Sequence, residues 1–108
     1  MAMNLAQSDF FIPAVPSSRE RFEAFDAANP RVYDLFERFA LEAIRRGKRK
    51  LGGRLIIERI RWEYAISTDS DDGFKINGNH APFYVRKFIR QYPGYRSMFE
   101  LRASLADG

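Results

Sequence analysis

A stripe of apolar residues at helical spacing runs through residues 30–46, and it limits the fold of this chain more than any other feature. Its members are Val32, Leu35, Phe36, Phe39, Ala40, Ala43 and Ile44. Residues three and four positions apart share one face of an α-helix, so the stripe predicts an amphipathic helix. Asn29 and Pro30 suit the start of this helix, and Gly47 suits its end. The apolar face has to be buried, so other parts of the chain must pack against it.

Two further segments carry helix signals. Ser17 and Glu20 match a capping box, in which each side chain bonds to the backbone of the other residue, and this predicts a helix over about residues 17–28. A last clear helix is predicted to begin near Asn79–Pro82 and to stop before Pro93, because proline cannot continue a helix.

Residues 53–67 fit two patterns at once. Isoleucines at 56, 57 and 60 with Tyr64 follow helical spacing, whereas Ile60, Trp62, Tyr64 and Ile66 alternate as in a strand. We predict a helix to about Trp62 that gives way to a strand near Tyr64–Ser67. The Asp-rich turn after it and the alternating residues 74–77 would complete a β-hairpin.

These elements predict a mainly α (α+β) fold, a small single domain of about four helices with a β-hairpin, arranged like a winged helix-turn-helix. The domain is expected over residues 17–105, after an extended N-terminal arm at residues 1–16. A chain of 108 residues, 45% apolar and 15% aromatic, can form one modest aromatic-rich core. There is no cysteine, which excludes disulfides, thiolate zinc sites and cysteine nucleophiles. No apolar run suits a membrane span or a signal peptide, so a soluble, intracellular protein is expected.

Positive charge is concentrated in residues 45–62. This block holds eight of the eighteen Lys and Arg residues and one acid, Glu58, a net charge of +7. Residues 1–44 and residues 63–78 each carry a net charge of −3, and residues 79–108 carry +3. Attraction to a polyanion would therefore act through one patch.

In the winged helix-turn-helix interpretation, residues 30–46 support residues 53–62, which would enter the major groove, and residues 67–75 form the wing. The predicted groove contacts are Arg54, Arg59 and Arg61. The predicted phosphate contacts, which set affinity and its salt dependence, are Arg45, Arg46, Lys48, Arg49 and Lys50.

Two features weigh against groove binding. The wing carries Asp69, Asp71 and Asp72, which phosphates would repel. The three isoleucines of residues 53–62 must be buried, which leaves little polar surface for reading bases. The basic block could instead solvate a helix end or contact an acidic protein partner.

Little in the sequence suggests catalysis. His80 is the single histidine, and without cysteine or a fixed carboxylate constellation it makes no convincing metal site; it suits a helix start instead. No glycine-rich phosphate loop, calcium loop or acid–base carboxylate pair is present. We therefore predict that the protein is not an enzyme and needs no cofactor or metal.

The turn at residues 77–79 admits two interpretations. It suits a simple turn followed by a helix cap. It could also form, beside Tyr84, a small polar pocket for a ligand or a partner. The residues predicted to contact that ligand or partner are Trp62, Phe74, Lys75, Asn77 and Asn79.

Four segments resemble a group of small uncharacterised proteins encoded by bacteriophages and prophages, over roughly residues 29–102. They are "NPRVYDLFERFALEAIRRG", "IIERIRWEYAIST", "GFKINGNHAPFYVRKFIRQYP" and "FELR". Gly78 departs from the group's pattern, in which asparagines follow "FKI" directly, so a side-chain role at that position is in doubt. The resemblance implies a phage accessory protein in the cytoplasm of an infected bacterium.

Three functions are expected from these observations. The leading one is a regulatory accessory protein that binds DNA through the basic block. The alternative is an inhibitor that binds a host defence protein, using the basic patch or an acidic turn that mimics nucleic acid. A small-ligand binder comes third.

Overall fold

The chain is mainly helical, as the apolar spacing predicts. A computed structural model describes residues 14–67 and 75–100. Four α-helices lie in those ranges: α1 (Ser18–Ala28), α2 (Pro30–Arg45), α3 (Gly53–Ser67) and α4 (Ala81–Gln91). Two 3₁₀ segments, Gly78–His80 and Pro93–Met98, lie before and after α4.

Some predictions fall at the ends of the chain. Residues 1–13 of the predicted N-terminal arm lie outside the described residues, as do residues 101–105 of the predicted domain. The predicted domain boundaries therefore stay predictions. None of the described helices is long and apolar enough to cross a membrane.

The capping box that begins α1 is confirmed. The Ser17 side chain accepts a hydrogen bond from the Glu20 backbone at 3.0 Å, and the Glu20 carboxylate accepts one from the Ser17 backbone at 2.8 Å. The first turn of a helix has backbone N–H groups without partners, and this reciprocal pair satisfies two of them.

Asn29 is the N-cap residue of α2, as predicted, but its side chain forms no capping hydrogen bond with that helix. Its amide instead donates to the carbonyl of Phe25 at 3.0 Å and closes α1. Pro30 occupies the first position of α2, where its missing N–H leaves no backbone group without a partner. Asn29 therefore joins two helices by ending the first.

Gly47 ends α2, as predicted. It has a φ of +89°, in the left-handed region that side chains rarely adopt. The Gly47 N–H donates to the carbonyl of Ile44, and the Lys48 N–H donates to that of Ala43. These two bonds form a Schellman motif, which satisfies carbonyls at the helix end and turns the chain sharply.

The strand predicted at Tyr64–Ser67 is wrong, because α3 remains helical through Ser67. Helical spacing prevails since Tyr64 packs against the core one turn beyond Ile60. The residues between α3 and Lys75 lie outside the described residues, and residues 75–77 form no strand. The described parts of the chain therefore contain no β-hairpin and do not support the winged arrangement.

The core is rich in aromatic side chains, as predicted. Phe36 of α2 and Tyr84 and Phe88 of α4 are fully buried, and the Phe36 and Tyr84 rings stack with centroids 5.6 Å apart. Ile57 and Ile60 of α3 close the same cluster. Phe22 of α1 is buried in the same cluster, so the four described α-helices share one core.

Candidate nucleic-acid interface

The connection between α2 and α3 presents the predicted phosphate-binding residues to solvent. We define the basic connection as five exposed side chains: Arg45, Arg46, Lys48, Arg49 and Lys50. Arg45 and Arg46 lie at the end of α2, the Schellman motif at Gly47 follows them, and α3 begins at Gly53 shortly after Lys50. All five side chains therefore leave the backbone within one short exposed stretch.

Leu51 anchors the basic connection to the core. Its side chain is buried, and its N–H donates to the carbonyl of Met98 at 2.9 Å. The Lys50 ammonium donates to the neighbouring carbonyl of Ser97 at 3.3 Å. The 3₁₀ segment after α4 therefore braces this connection, and the exposed Arg96 directly precedes Ser97 in that segment. Sequence spacing alone gives no sign of that neighbour.

Few carboxylates neutralise the basic connection. Arg46 pairs with Glu42 at 3.3 Å, and the Arg46 side chain is 79% exposed, so screening by water makes this a weak interaction. Arg45, Lys48 and Arg49 form no ion pair in the part of the chain that the structure describes. Their charges remain available to an external anion.

Two of the three predicted groove contacts have partners inside the protein. Arg59 pairs with Glu63 at 2.7 Å and lies over the Phe39 ring, 4.3 Å from its centroid. Arg61 pairs with Glu58 at 2.6 Å and donates to the carbonyl of Ile76. Both acids stand three or four positions away on the same helix, a spacing that brings side chains together.

Arg54 is exposed and approaches Arg61 near Gly78. A Cβ placed on Gly78 would lie 3.3 Å from Nη2 of Arg54 and 3.9 Å from Nη2 of Arg61. Within the described ranges, Arg54 has no carboxylate partner. The glycine therefore leaves room for two guanidinium groups beside one turn, an arrangement that suits a phosphate oxygen.

The predicted contacts in the turn before α4 lie beside these arginines. Lys75, Asn77 and Asn79 are exposed, and the Asn77 side chain accepts a hydrogen bond from the Asn79 backbone at 2.9 Å. That bond caps the 3₁₀ segment, so Asn77 provides a helix cap within the predicted turn. The structure thus brings part of the basic block together with part of the polar turn.

The predicted pocket beside Trp62 does not include Tyr84. Tyr84 is fully buried, whereas Trp62 is 61% exposed on the side of α3 that faces away from the core. Phe74 lies outside the described residues. Trp62 instead belongs to a group of exposed apolar side chains on α3, with Leu55 and Ile66.

His80 is buried among aromatic rings. Its side chain is 6% exposed, and its ring lies 5.7 Å from that of Phe22 and 5.2 Å from that of Phe25. Burial lowers the pKa of His80 below its ordinary value, and the nearby Arg21 lowers it further. Among the described residues, no group of three or more His, Cys, Asp and Glu could hold a metal ion. The prediction that the protein is not an enzyme stays a prediction.

The lowered pKa predicts that acid destabilises the fold through His80. Well above the ordinary pKa of 6.5, the His80 imidazole is neutral in both the folded and the unfolded chain. Below that pH the unfolded chain binds a proton at His80 more readily than the folded chain does. The free energy of unfolding should therefore fall between about pH 7.5 and pH 5.5. Urea denaturation at the two pH values measures this fall. His80→Phe should remove most of it, and a native protein with no such pH dependence would contradict the assignment.

No protein-family model, curated protein or solved structure matches this chain. The class that the fold and this surface define is a small helical domain with a basic, weakly neutralised connection.

Proposed function

We propose that this protein binds nucleic acid by contacting backbone phosphates with the basic connection and Arg54. The observation that carries the proposal is the exposure of these six basic side chains, five of which lack an ion pair in the described residues. Nucleic acids are dense polyanions, and Lys and Arg that replace their counterions supply most non-specific affinity. A set of exposed Lys and Arg side chains suits that task.

Binding is to phosphates rather than to base edges. Arg59 and Arg61 are engaged within the protein, and the outward side of α3 carries Leu55, Trp62 and Ile66. Base recognition in the major groove needs polar side chains that project from the inserted helix. The arrangement of α3 therefore favours binding with little preference for sequence.

The cellular role follows from the resemblance to phage-encoded proteins. We propose an accessory, regulatory role in the cytoplasm of a bacterial host, where such a domain would cover or compete for DNA. This context remains a prediction from the residues that carry the resemblance. The phosphate-binding proposal does not depend on it.

Fluorescence anisotropy of labelled duplex DNA tests the proposal directly. If about five phosphates are neutralised, log affinity should fall with log salt concentration between about 50 and 200 mM with a slope of about −4 to −5. Two duplexes of unrelated sequence should bind with the same affinity and slope. Absence of binding even at the lowest salt concentration would reject the proposal.

A further inference from the structure

The outward side of α3 is apolar although it faces solvent. Leu55, Trp62 and Ile66 are 61%, 61% and 62% exposed. With 3.6 residues per turn, the three side chains fall within an arc of about 40° on the helix surface. The buried Ile57 and Ile60 lie on the other side, against the core. A surface helix ordinarily places polar residues there, so a contiguous apolar stripe indicates an interface.

Charged residues border this stripe in a particular order. Arg59 and Glu63 lie along one border, with their side chains paired at 2.7 Å and 47% and 31% exposed. The other border carries Glu58 and the small, exposed Ala65 at the corresponding positions. Along the first border the charge runs from positive to negative in the direction of the chain. When two such borders lie side by side in opposite directions, the positive charge of each lies beside the negative charge of the other.

We propose that the stripe of Leu55, Trp62 and Ile66 is a homodimer interface, in which α3 packs antiparallel against α3 of a second copy about a two-fold axis near residue 61. Residues whose numbers add up to about 122 then lie level with each other, given a rise of about 1.5 Å per residue. Leu55 lies beside Ile66 of the second copy, and the two Trp62 rings meet near the axis. Isologous two-fold dimers are the commonest protein assemblies, and tryptophan is enriched among the residues that dominate interfaces.

Charge complementarity favours a second copy of this chain as the partner, and it favours antiparallel packing of the two α3 helices. In the antiparallel pair Arg59 lies level with Glu63 of the second copy, and symmetry repeats that contact. Glu58 lies beside Ala65 of the second copy, so no like charges oppose each other on that border. A parallel pair would instead bring together two basic connections, which precede α3 and are weakly neutralised. The antiparallel pair separates the starts of the two α3 helices, which follow the basic connections, by about 24 Å along the helix axis, from about sixteen residues of helical rise.

The dimer goes beyond the proposed nucleic-acid binding and does not depend on it, because its interface uses none of the basic connection. Its first test is the mass in solution. Light scattering after size exclusion, over a range of protein concentrations, should give twice the 12.6 kDa of one chain. Trp62→Glu should raise the dimer dissociation constant by about 30-fold or more, as loss of a central interface residue does.

A control variant separates interface effects from general effects of adding charge. Val15 is also apolar and 80% exposed but lies outside α3, so Val15→Glu should leave the mass unchanged. Circular dichroism should show native helix content in both variants, since neither side chain is part of the core. A native chain that stays monomeric overturns the proposal, and so does a dimer that Trp62→Glu leaves intact. A chain that stays monomeric and captures a different protein through Trp62 overturns it as well.

Charge reversal tests the direction of pairing. Arg59→Glu and Glu63→Arg each place like charges along the border and should each weaken self-association. An equal mixture of the two variants should form heterodimers, because the acidic border of one chain then meets the basic border of the other. The like-charge pair within each chain persists in the mixture, so recovery can only come from contacts between chains. Failure of the mixture to associate overturns the antiparallel arrangement.

Discussion

A variant with Arg45, Lys48 and Arg49 replaced by alanine should bind duplex DNA about 500-fold more weakly than the native protein at 100 mM salt. At that concentration each neutralised phosphate contributes about 0.9 log units of affinity relative to 1 M salt, so losing three contacts removes about 2.7 log units. These three side chains are exposed and have no ion pair in the described residues, so the fold should survive their removal. The slope of log affinity against log salt should become less steep by about 2.7.

The matched control removes the same number of charges elsewhere. Arg31, Arg38 and Arg90 are exposed on α2 and α4, and replacing all three by alanine lowers the net charge from +4 by the same amount. If the basic connection is the contact surface, this control should bind DNA nearly as well as the native protein. Equal weakening by both variants would mean that net charge attracts DNA without a defined surface. Anisotropy titrations at matched salt distinguish the two results.

The helices could be predicted because their signals are local. The capping box at Ser17 and the left-handed glycine at Gly47 act within one turn, and the apolar stripe of α2 repeats over four turns. Each signal satisfies backbone groups or buries side chains whatever the remainder of the chain does. Asn29 was placed at the correct junction, but either helix could use its side chain, and sequence does not decide between them.

The end of α3 was predicted wrongly because two periodicities coincide there. Isoleucine and aromatic residues favour strands, and alternation from Ile60 to Ile66 strengthens that impression. The alternation arises because Trp62 and Ile66 belong to the outward stripe whereas Ile60 and Tyr64 face the core. A helix that is apolar on two sides can therefore imitate a strand. That ambiguity was itself a signal of the exposed stripe.

The candidate site was predicted only in part. The exposure of the basic connection follows from its charged composition and from its position in a short segment that links two helices. The ion pairs of Arg59 and Arg61 can be predicted from the sequence, because Glu63 and Glu58 stand at helical spacing from them. The approach of Arg54 to Gly78 cannot be predicted in this way, because it depends on how α3 crosses the start of α4. Contacts between distant parts of a chain need the packed fold.

Gly53→Ala should lower the free energy of unfolding by about 1–2 kcal/mol, which corresponds to a melting temperature lower by roughly 4–16 °C. α3 begins at Gly53, where it crosses α4 so closely that a Cβ would lie 2.5 Å from Cγ2 of Val85. Relieving that overlap requires the Val85 side chain to rotate or the two helices to separate, at a cost of about 1–3 kcal/mol. Alanine favours the helical state by up to about 1 kcal/mol over glycine, which offsets part of this cost.

Gly52→Ala is the matched control one residue away. A Cβ at Gly52 would meet no atom within 4 Å, and the backbone there is not left-handed, so stability should be unchanged or slightly increased. Thermal denaturation compares the two variants. Combining Gly53→Ala with Val85→Ala removes the overlapping methyl group, so the double variant should be less destabilised than the sum of the single effects. Strict additivity would show that the contact between residue 53 and Val85 does not limit how closely α3 crosses α4.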